Sequence, residues 1–333
     1  MTARANKTVL VTGGAGYVGS HCCKEFHRNG WRVVCLDNLS RGRAEMVKWG
    51  PLVVADIADS AIVDATITEH RPDLIAHFAA YAYVGESVAA PDIYYDNNVS
   101  RTHSLLNSAR SVLDKPIPVL FSSTCATYGH PVRPVIDERH PQWPINPYGW
   151  SKLIIERMLS DYAVAYGLPS IALRYFNAAG ADPDGEIGEL HDPETHAIPL
   201  AIEAALTGAQ PFSVFGTDFE TPDGSAIRDY IHVADLASAH VLAAERLLAG
   251  ERRAEVYNLG TGHGTSVLEM IAAVRRATQR EVPVSLAPRR AGDPALLIAD
   301  AGLARSVLGW EPTQSSIDRI MTTAVKWRLR AER

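Results

Sequence analysis

The first half of the chain predicts a doubly wound α/β fold on a parallel sheet. The second half predicts a smaller mixed α/β lobe packed against it. Three observations lead there. Near-continuous apolar runs alternate with helical patterns from residue 8 onward, as expected of strands buried on both faces. A glycine-rich turn joins the first run to the first helix. After about residue 177 the texture changes to a stretch rich in Gly, Pro, Asp and Glu, then to shorter elements.

In chain order, Thr8–Thr12 (TVLVT) is a short buried strand, and the helical pattern Val18–Arg28 follows its turn. Val33–Asp37 (VVCLD), Leu52–Ala55 (LVVA) and Leu74–Phe78 (LIAHF) are the next strands, short and apolar throughout. Helical periodicity covers 93–112, Ile117–Ser122 (IPVLFS) is a strand, a second helix covers 148–166, and Ser170–Phe176 (SIALRYF) ends the series. Strands separated by helices make crossovers, so the sheet is parallel and covered on both faces. Ala178–Glu194 reads as a long loop. Beyond it come a helix near 197–207, a strand near 213–215, the strand Tyr230–Val233, a helix over 234–249, a strand over 255–259, a helix over 266–279 and a last helix over roughly 315–329. The expected division is a nucleotide-binding domain of residues 1–177 with parts of 226–262, and a substrate lobe of 178–225 and 263–333.

The bulk numbers exclude several function classes. A net charge of -6 argues against a general polyanion binder, so any phosphate site must be local, and no helix is basic enough for nucleic acid or a membrane surface. No run approaches the ~18 apolar residues that span a bilayer, and the N-terminus lacks a signal-peptide apolar core. The four cysteines, Cys22, Cys23, Cys35 and Cys125, form no CxxC pair or zinc pattern and read as buried thiols in a reducing cytoplasm. Asp182-Pro-Asp184-Gly185-Glu186 hints at a calcium loop but lacks the ligand frame and its glycine. No metal is expected.

Gly13, Gly16 and Gly19 form GxxGxxG in VTGGAGYVG, between a strand and a helix. Glycine lets backbone approach a pyrophosphate closely, and the helix N-terminus offers free N–H groups. The next strand ends in Asp37, a carboxylate able to accept both adenosine ribose hydroxyls and to repel a 2′-phosphate. These features predict a Rossmann-type site for NAD rather than NADP, although Arg41 and Arg43 lie close by. Tyr148 and Lys152, four apart at the start of a helix, share one face. A phenol needs its pKa lowered to act as a base at neutral pH, and an adjacent cation together with oxidised nicotinamide lowers it.

With TGGAGYVG, Asp56-Ile57, FAA at 78–80, SSTCATYG at 122–129 and YGWSK at 148–152, the chain resembles the extended short-chain dehydrogenase/reductase family. VGESV at 84–88, YYDNNV at 94–99, LRYFNAAG at 173–180, FGTDFETPDGSAIRDYIHVADLA at 215–237, YNLGTG at 257–262 and RRAGDP at 289–294 narrow this to the UDP-glucose (UDP-galactose) 4-epimerase branch, over roughly residues 8 to 329. The resemblance implies Tyr148, Lys152 and Thr124 as catalytic residues around a retained NAD that stores a hydride. It implies cofactor contacts from Gly13, Gly16, Tyr17, Val18, Gly19, Asp37, Asn38, Asp56, Ile57, Phe78, Ala79, Ala80, Asn97, Ser122, Tyr148, Lys152 and Tyr175. The YAY at 81–83 lacks a lysine that some members set against cofactor phosphate, so tyrosine side chains or backbone amides must replace it.

For the UDP-sugar the resemblance implies Thr124, Tyr148, Asn177, His196, Arg228, Tyr230, Arg290, Asp293 and Leu297. The two arginines suit a diphosphate because their planar forks grip two oxygens. Tyr230 reads equally as core and His196 equally as a helix-start residue, while His77 reads as a satisfied core histidine. Leu297 stands where the branch gates the sugar pocket, and its intermediate size implies weak or no action on N-acetylated sugars. A homodimer is implied through the helices near 93–112 and 148–166, where Ile154, Ile155, Met158 and Leu159 would serve either that face or the core. A nucleotide-sugar dehydratase needs a carboxylate pair after residue 124, where Cys125 and Ala126 stand instead. A UDP-xylose/UDP-arabinose 4-epimerase stays open. A non-catalytic NAD-sensing regulator, expected to lose Tyr148 or Lys152, is the distant alternative.

Overall fold

In the computed structural model, which describes residues 7–250, 253–290 and 293–331, seven parallel strands form the main sheet. Numbered in chain order, they are β1 (Thr8–Thr12), β2 (Arg32–Asp37), β3 (Leu52–Val54), β4 (Leu74–His77), β5 (Val119–Thr124), β6 (Ser170–Tyr175) and β7 (Ala254–Leu259). Their spatial order is β3-β2-β1-β4-β5-β6-β7. The order reverses between β1 and β4, which opens a crevice at the C-terminal ends of these strands.

Alternation along each strand sorts the core into two layers. Val9, Val11, Val33, Leu74 and Leu120 face the helices Tyr17–Arg28 and Val233–Leu248. Leu10, Val34, Ile75, Val119 and Phe121 face the helices Ser60–His70, Arg101–Ser111 and Pro147–Tyr166. Ile155 and Leu159 belong to this second layer, at 1% and 2% exposure, so they serve the core rather than a subunit face.

Helical periodicity over 93–112 is only partly realised. Pro91–Tyr94 and Arg101–Ser111 are α-helical, but Tyr95–Ser100 between them is a π-helix. The wider turn brings Asn97 and Asn98 inward together, and Asn98 holds both the N–H and the C=O of Tyr81, at 2.8 and 3.0 Å.

The second lobe packs the helices Ala197–Thr207, Val267–Thr278 and Ile317–Ala331 around their own core, with Phe212–Phe215 paired to Val284–Ala287. The Ala178–Glu194 segment is irregular beyond Ala179 and is pinned by Lys24, whose ammonium reaches Asp182, Asp184 and Glu186, each at 2.7 Å. The calcium-like acid cluster thus already holds a cation of the protein's own.

Four histidines lie buried and neutral. Burial lowers His21, His232 and His240 to about 4 and His77 to about 3. His77 is satisfied by Thr12 and Thr102 at 2.7 and 2.9 Å, as a core histidine should be. An unfolded histidine titrates near 6.5, so as pH falls below that value the unfolded chain gains protons that the folded chain refuses. Each of the four then costs up to ~1.4 kcal/mol per pH unit. Asp37, Asp229 and Asp235, raised by burial, act with the opposite sign, as do His191 and His196, raised by acidic neighbours. The expected net result is a loss of about 3 kcal/mol in unfolding free energy between pH 7 and 5.5. Urea titrations at both pH values check this, and stability that is flat or rising on acidification contradicts it.

Candidate active site

All the residues singled out for cofactor or substrate line one cleft of about 990 Å³ between the strand ends and the second lobe. Its volume stands at the upper end of ordinary small-molecule sites.

The glycine turn forms the floor at one end. Gly13 has φ +74° and donates its N–H to Leu36 at 2.9 Å. Gly16 caps the helix Tyr17–Arg28 with no side-chain bond to the first amides, leaving those donors for an anion. Asp37 accepts from the amides of Ala15 and Leu39 at 3.0 and 2.8 Å, so it braces the turn as well as facing the cleft. Burial raises its pKa, against the pull of those two amides. Asp56 is held by Asn38 at 2.8 Å and by Arg101. Free amides, a cradle that a Cβ would fill and a strand-end carboxylate fit a dinucleotide.

One cation here was passed over in the sequence as merely neighbouring. Arg41 stacks on Tyr81 and Tyr83, 5.3 and 5.1 Å from the ring centroids, and pairs with Glu86 at 2.6 Å. It lines the cleft beside the tyrosines that stand where a lysine was missed.

Tyr148 sits on the first turn of its helix because Asn146 caps it, accepting from Gly149 at 2.8 Å, and Pro147 takes the position where no N–H is needed. Burial pushes the Tyr148 phenol up to about 12, and its hydrogen bond with Thr124 pulls the other way. Lys152 does not lower the phenol as expected. Its ammonium donates to the Ser122 carbonyl at 2.8 Å and lies 4.8 Å from the Phe121 ring centroid. Burial lowers Lys152 to about 7, against the opposing pull of Glu156. With its charge weakened in this way, the cation does little for the phenol without a bound ligand. Ser122 and Tyr175 bond each other at 2.5 Å next to it.

Beneath these residues runs a buried polar chain. Arg174 makes a two-pronged ion pair with Glu156 and donates to the Tyr128 hydroxyl at 2.9 Å. Tyr128 donates in turn to Asn258 of β7 at 2.6 Å, and Ser123 donates to Glu156. This network ties β5, β6, β7 and the Tyr148 helix together, which holds the reactive side chains in register.

At the other end, Arg228 donates to Asp293 at 2.7 Å and to the Pro294 carbonyl at 2.9 Å. Two residues expected to meet different parts of a substrate therefore brace one another. Arg290 lies 3.8 Å from the Phe215 ring centroid. Asn177 donates to the Asp229 carbonyl at 3.0 Å. Tyr230 is both core and cleft wall. Leu297 pairs in register with Arg228 and packs with Cys125, Tyr128 and Phe176. His196 is the N-cap of Ala197–Thr207, but its ring turns to Glu194 and Glu189, at 2.9 and 3.0 Å. Burial would lower its pKa, and the two carboxylates carry it up to about 10 instead. Those carboxylates and His191 were missed, though the acid–histidine alternation of ELHDPETH signals them.

The profile of the NAD dependent epimerase/dehydratase family matches residues 9–260. A UDP-glucose 4-epimerase of Rhizobium meliloti is 51% identical over 326 residues, 98% of this chain and 98% of that protein. The crystal structure of UDP-glucose 4-epimerase from Brucella ovis in complex with NAD is 53% identical with a TM-score of 0.93, covering 96% of this chain and 98% of that one. The UDP-glucose 4-epimerase of Bifidobacterium longum, solved with NAD+ and UDP, is 36% identical with a TM-score of 0.91 over 98% of this chain and 99% of that one.

Proposed function

The chain belongs to the NAD dependent epimerase/dehydratase family, and on that premise we propose that its cleft interconverts UDP-glucose and UDP-galactose by inverting C4, with NAD as resident cofactor. The observation that carries this reading is the placement of Tyr148, Thr124 and Lys152 in one cleft, with the glycine turn at one end and Arg228 and Arg290 at the other.

Bound NAD supplies a reversible hydride acceptor for the sugar C4 and, when oxidised, positive charge that lowers the Tyr148 phenol. Tyr148 takes the proton from the 4-hydroxyl and returns it to the 4-oxygen after the 4-keto sugar has turned over. Thr124, whose hydroxyl pulls the Tyr148 phenol down, shares that proton or holds the 4-oxygen. Lys152 is positioned by the Ser122 carbonyl to meet the nicotinamide ribose. Arg228 and Arg290 grip the diphosphate, so the sugar is held from its UDP end and its ring stays free to rotate. Cys125 and Ala126 offer no acid–base pair for dehydration.

Incubation with UDP-glucose, UDP-xylose and UDP-N-acetylglucosamine in parallel, without added NAD, tests this. The expected result is UDP-galactose formation from UDP-glucose and little or no turnover of the N-acetylated sugar, in keeping with Leu297. Epimerisation of UDP-xylose alone favours the pentose reading, and no C4 inversion of any sugar overturns both.

Arg41 gives a further check. It places positive charge beside Tyr81 and Tyr83, where the missing lysine left none, and so supports cofactor phosphate. Arg41→Ala is expected to weaken NAD retention about tenfold, within the range for losing one charge-assisted hydrogen bond. Bound nucleotide measured after gel filtration reports it, and parental retention refutes the role.

The buried free thiols support a reducing cytoplasm, and no described helix is long and apolar enough to cross a membrane. A homodimer remains the expectation of the resemblance, and sedimentation velocity giving a monomer removes it.

A further inference from the structure

We propose that Glu189, His191, Glu194 and His196 form a site for one divalent transition-metal ion, Zn2+ by donor type, on the wall of the cleft. Their ligand atoms all lie within 4.8 Å of one another. Nδ1 of His191 is 3.1 Å from Glu189 and 3.7 Å from Glu194, and Nδ1 of His196 is 3.0 and 2.9 Å from the same two carboxylates. A tetrahedral zinc with bonds of ~2.0–2.2 Å has its ligands roughly 3.3–3.6 Å apart. Three of the four separations are shorter than that spacing and one is longer, so the side chains would spread by a few tenths of an ångström to admit an ion.

A second observation separates this group from an ordinary ion-pair cluster. Nδ1 of His191 is shut off from solvent and is held by the charge of Glu189 and Glu194, 3.1 and 3.7 Å away, without a well-aligned hydrogen bond to either. The carboxylate is near the nitrogen but off the direction in which the ring donates or accepts. A cation between the four groups would satisfy that nitrogen.

The surroundings suit a metal. Glu194 is oriented by the amides of Thr195 and His196, each at 2.8 Å, as ligating carboxylates usually are. The rings of Tyr17 and Tyr83 pack edge-on against His191 and limit water on that side. Two imidazoles with two carboxylates favour Zn2+ or Co2+ over Mg2+ and Ca2+, which take oxygen-only shells. Two anionic carboxylates balance a divalent ion. The neighbouring acid cluster of Asp182, Asp184 and Glu186 is filled by the Lys24 ammonium, which cannot become a ligand, whereas an ion here would displace the proton that the two carboxylates hold on His196. His196 lines the same cleft as Arg228 and Arg290, so an ion here adds positive charge to a wall that the proposed function assigns to a diphosphate. Metal binding itself does not depend on that assignment.

The test is metal uptake by the intact chain. Protein freed of metal with a chelator is titrated with Zn2+, Mg2+ and, for its visible spectrum, Co2+. The expected result is one Zn2+ per chain, no comparable Mg2+ uptake, and the intense absorption of tetrahedral Co2+. His191→Gln and Glu189→Gln are each expected to weaken binding roughly tenfold or more. His27→Gln, which alters an exposed histidine elsewhere, is expected to keep it. Absence of stoichiometric Zn2+ uptake by the parent chain overturns the proposal whatever the variants do. So does uptake that survives both ligand substitutions, or Co2+ bands of octahedral intensity.

Discussion

Tyr148→Phe is expected to cut epimerase turnover roughly 10²–10⁴-fold, the usual contribution of a positioned acid–base group, while NAD stays with the chain. The substitution removes one oxygen and leaves the ring that fills its part of the cleft wall. The Asn146 cap and Pro147 that fix the helix start are untouched. Thr124 keeps the hydrogen bond that its hydroxyl oxygen accepts from the Ala126 N–H, at 3.2 Å. The loss should therefore fall on kcat rather than on KM. The pH profile carries a second signature. Without a bound ligand the phenol stands near 12, so catalysis at neutral pH depends on ligand charge bringing it down. The parent should gain rate with rising pH through the lowered phenol, and the Phe variant should lose that limb. Turnover near the parental rate refutes the role given to Tyr148.

Gly13→Ala is expected to cost the chain its NAD and to lower its stability by about 2–4 kcal/mol, combining left-handed strain with overpacking. A Cβ at Gly13 would lie 2.5 Å from the backbone nitrogen of Ala79 and 2.8 Å from its Cα. These are backbone atoms just beyond the end of β4, so no side-chain rotation relieves the clash. The turn would have to lift away from Ala79 and Ala80, which carries the amides of the helix start away from the phosphates. The expected readout is purified protein without nicotinamide absorbance and a lower urea midpoint. A variant with parental NAD content shows that the turn has more room than these distances allow.

Much of the fold was legible because its signals are local. Apolar runs placed the main strands within about two residues, as at Arg32–Asp37 against the expected Val33–Asp37. The helix over 197–207 fell in place to the residue. Tyr95–Ser100 was not legible, because a π turn keeps helical periodicity nearly intact and depends on the Asn98 contacts with Tyr81 and Ser151. Gly302–Leu308, Val284–Ala287 and Leu296–Ala299 were missed because such short elements carry too few residues to show a period.

The candidate site divides the same way. Its residues could be named from motifs, and they do face one cleft. What each side chain touches depends on distant partners. Arg41 meets Tyr81, Tyr83 and Glu86, Lys152 turns to Ser122, and His196 turns to carboxylates that no motif had marked.

The seventh strand has a consequence for biosynthesis. β7 joins the sheet beside β6 although some eighty residues separate them, and Asn258 completes the polar chain under Tyr148. On the ribosome, the nucleotide-binding half therefore emerges with β6 as an open parallel edge and Tyr128 without its acceptor. A chain cut short anywhere before residue 254 keeps every glycine of the phosphate turn yet offers that edge to its neighbours. Such fragments are expected to aggregate rather than to survive as free-standing dinucleotide binders.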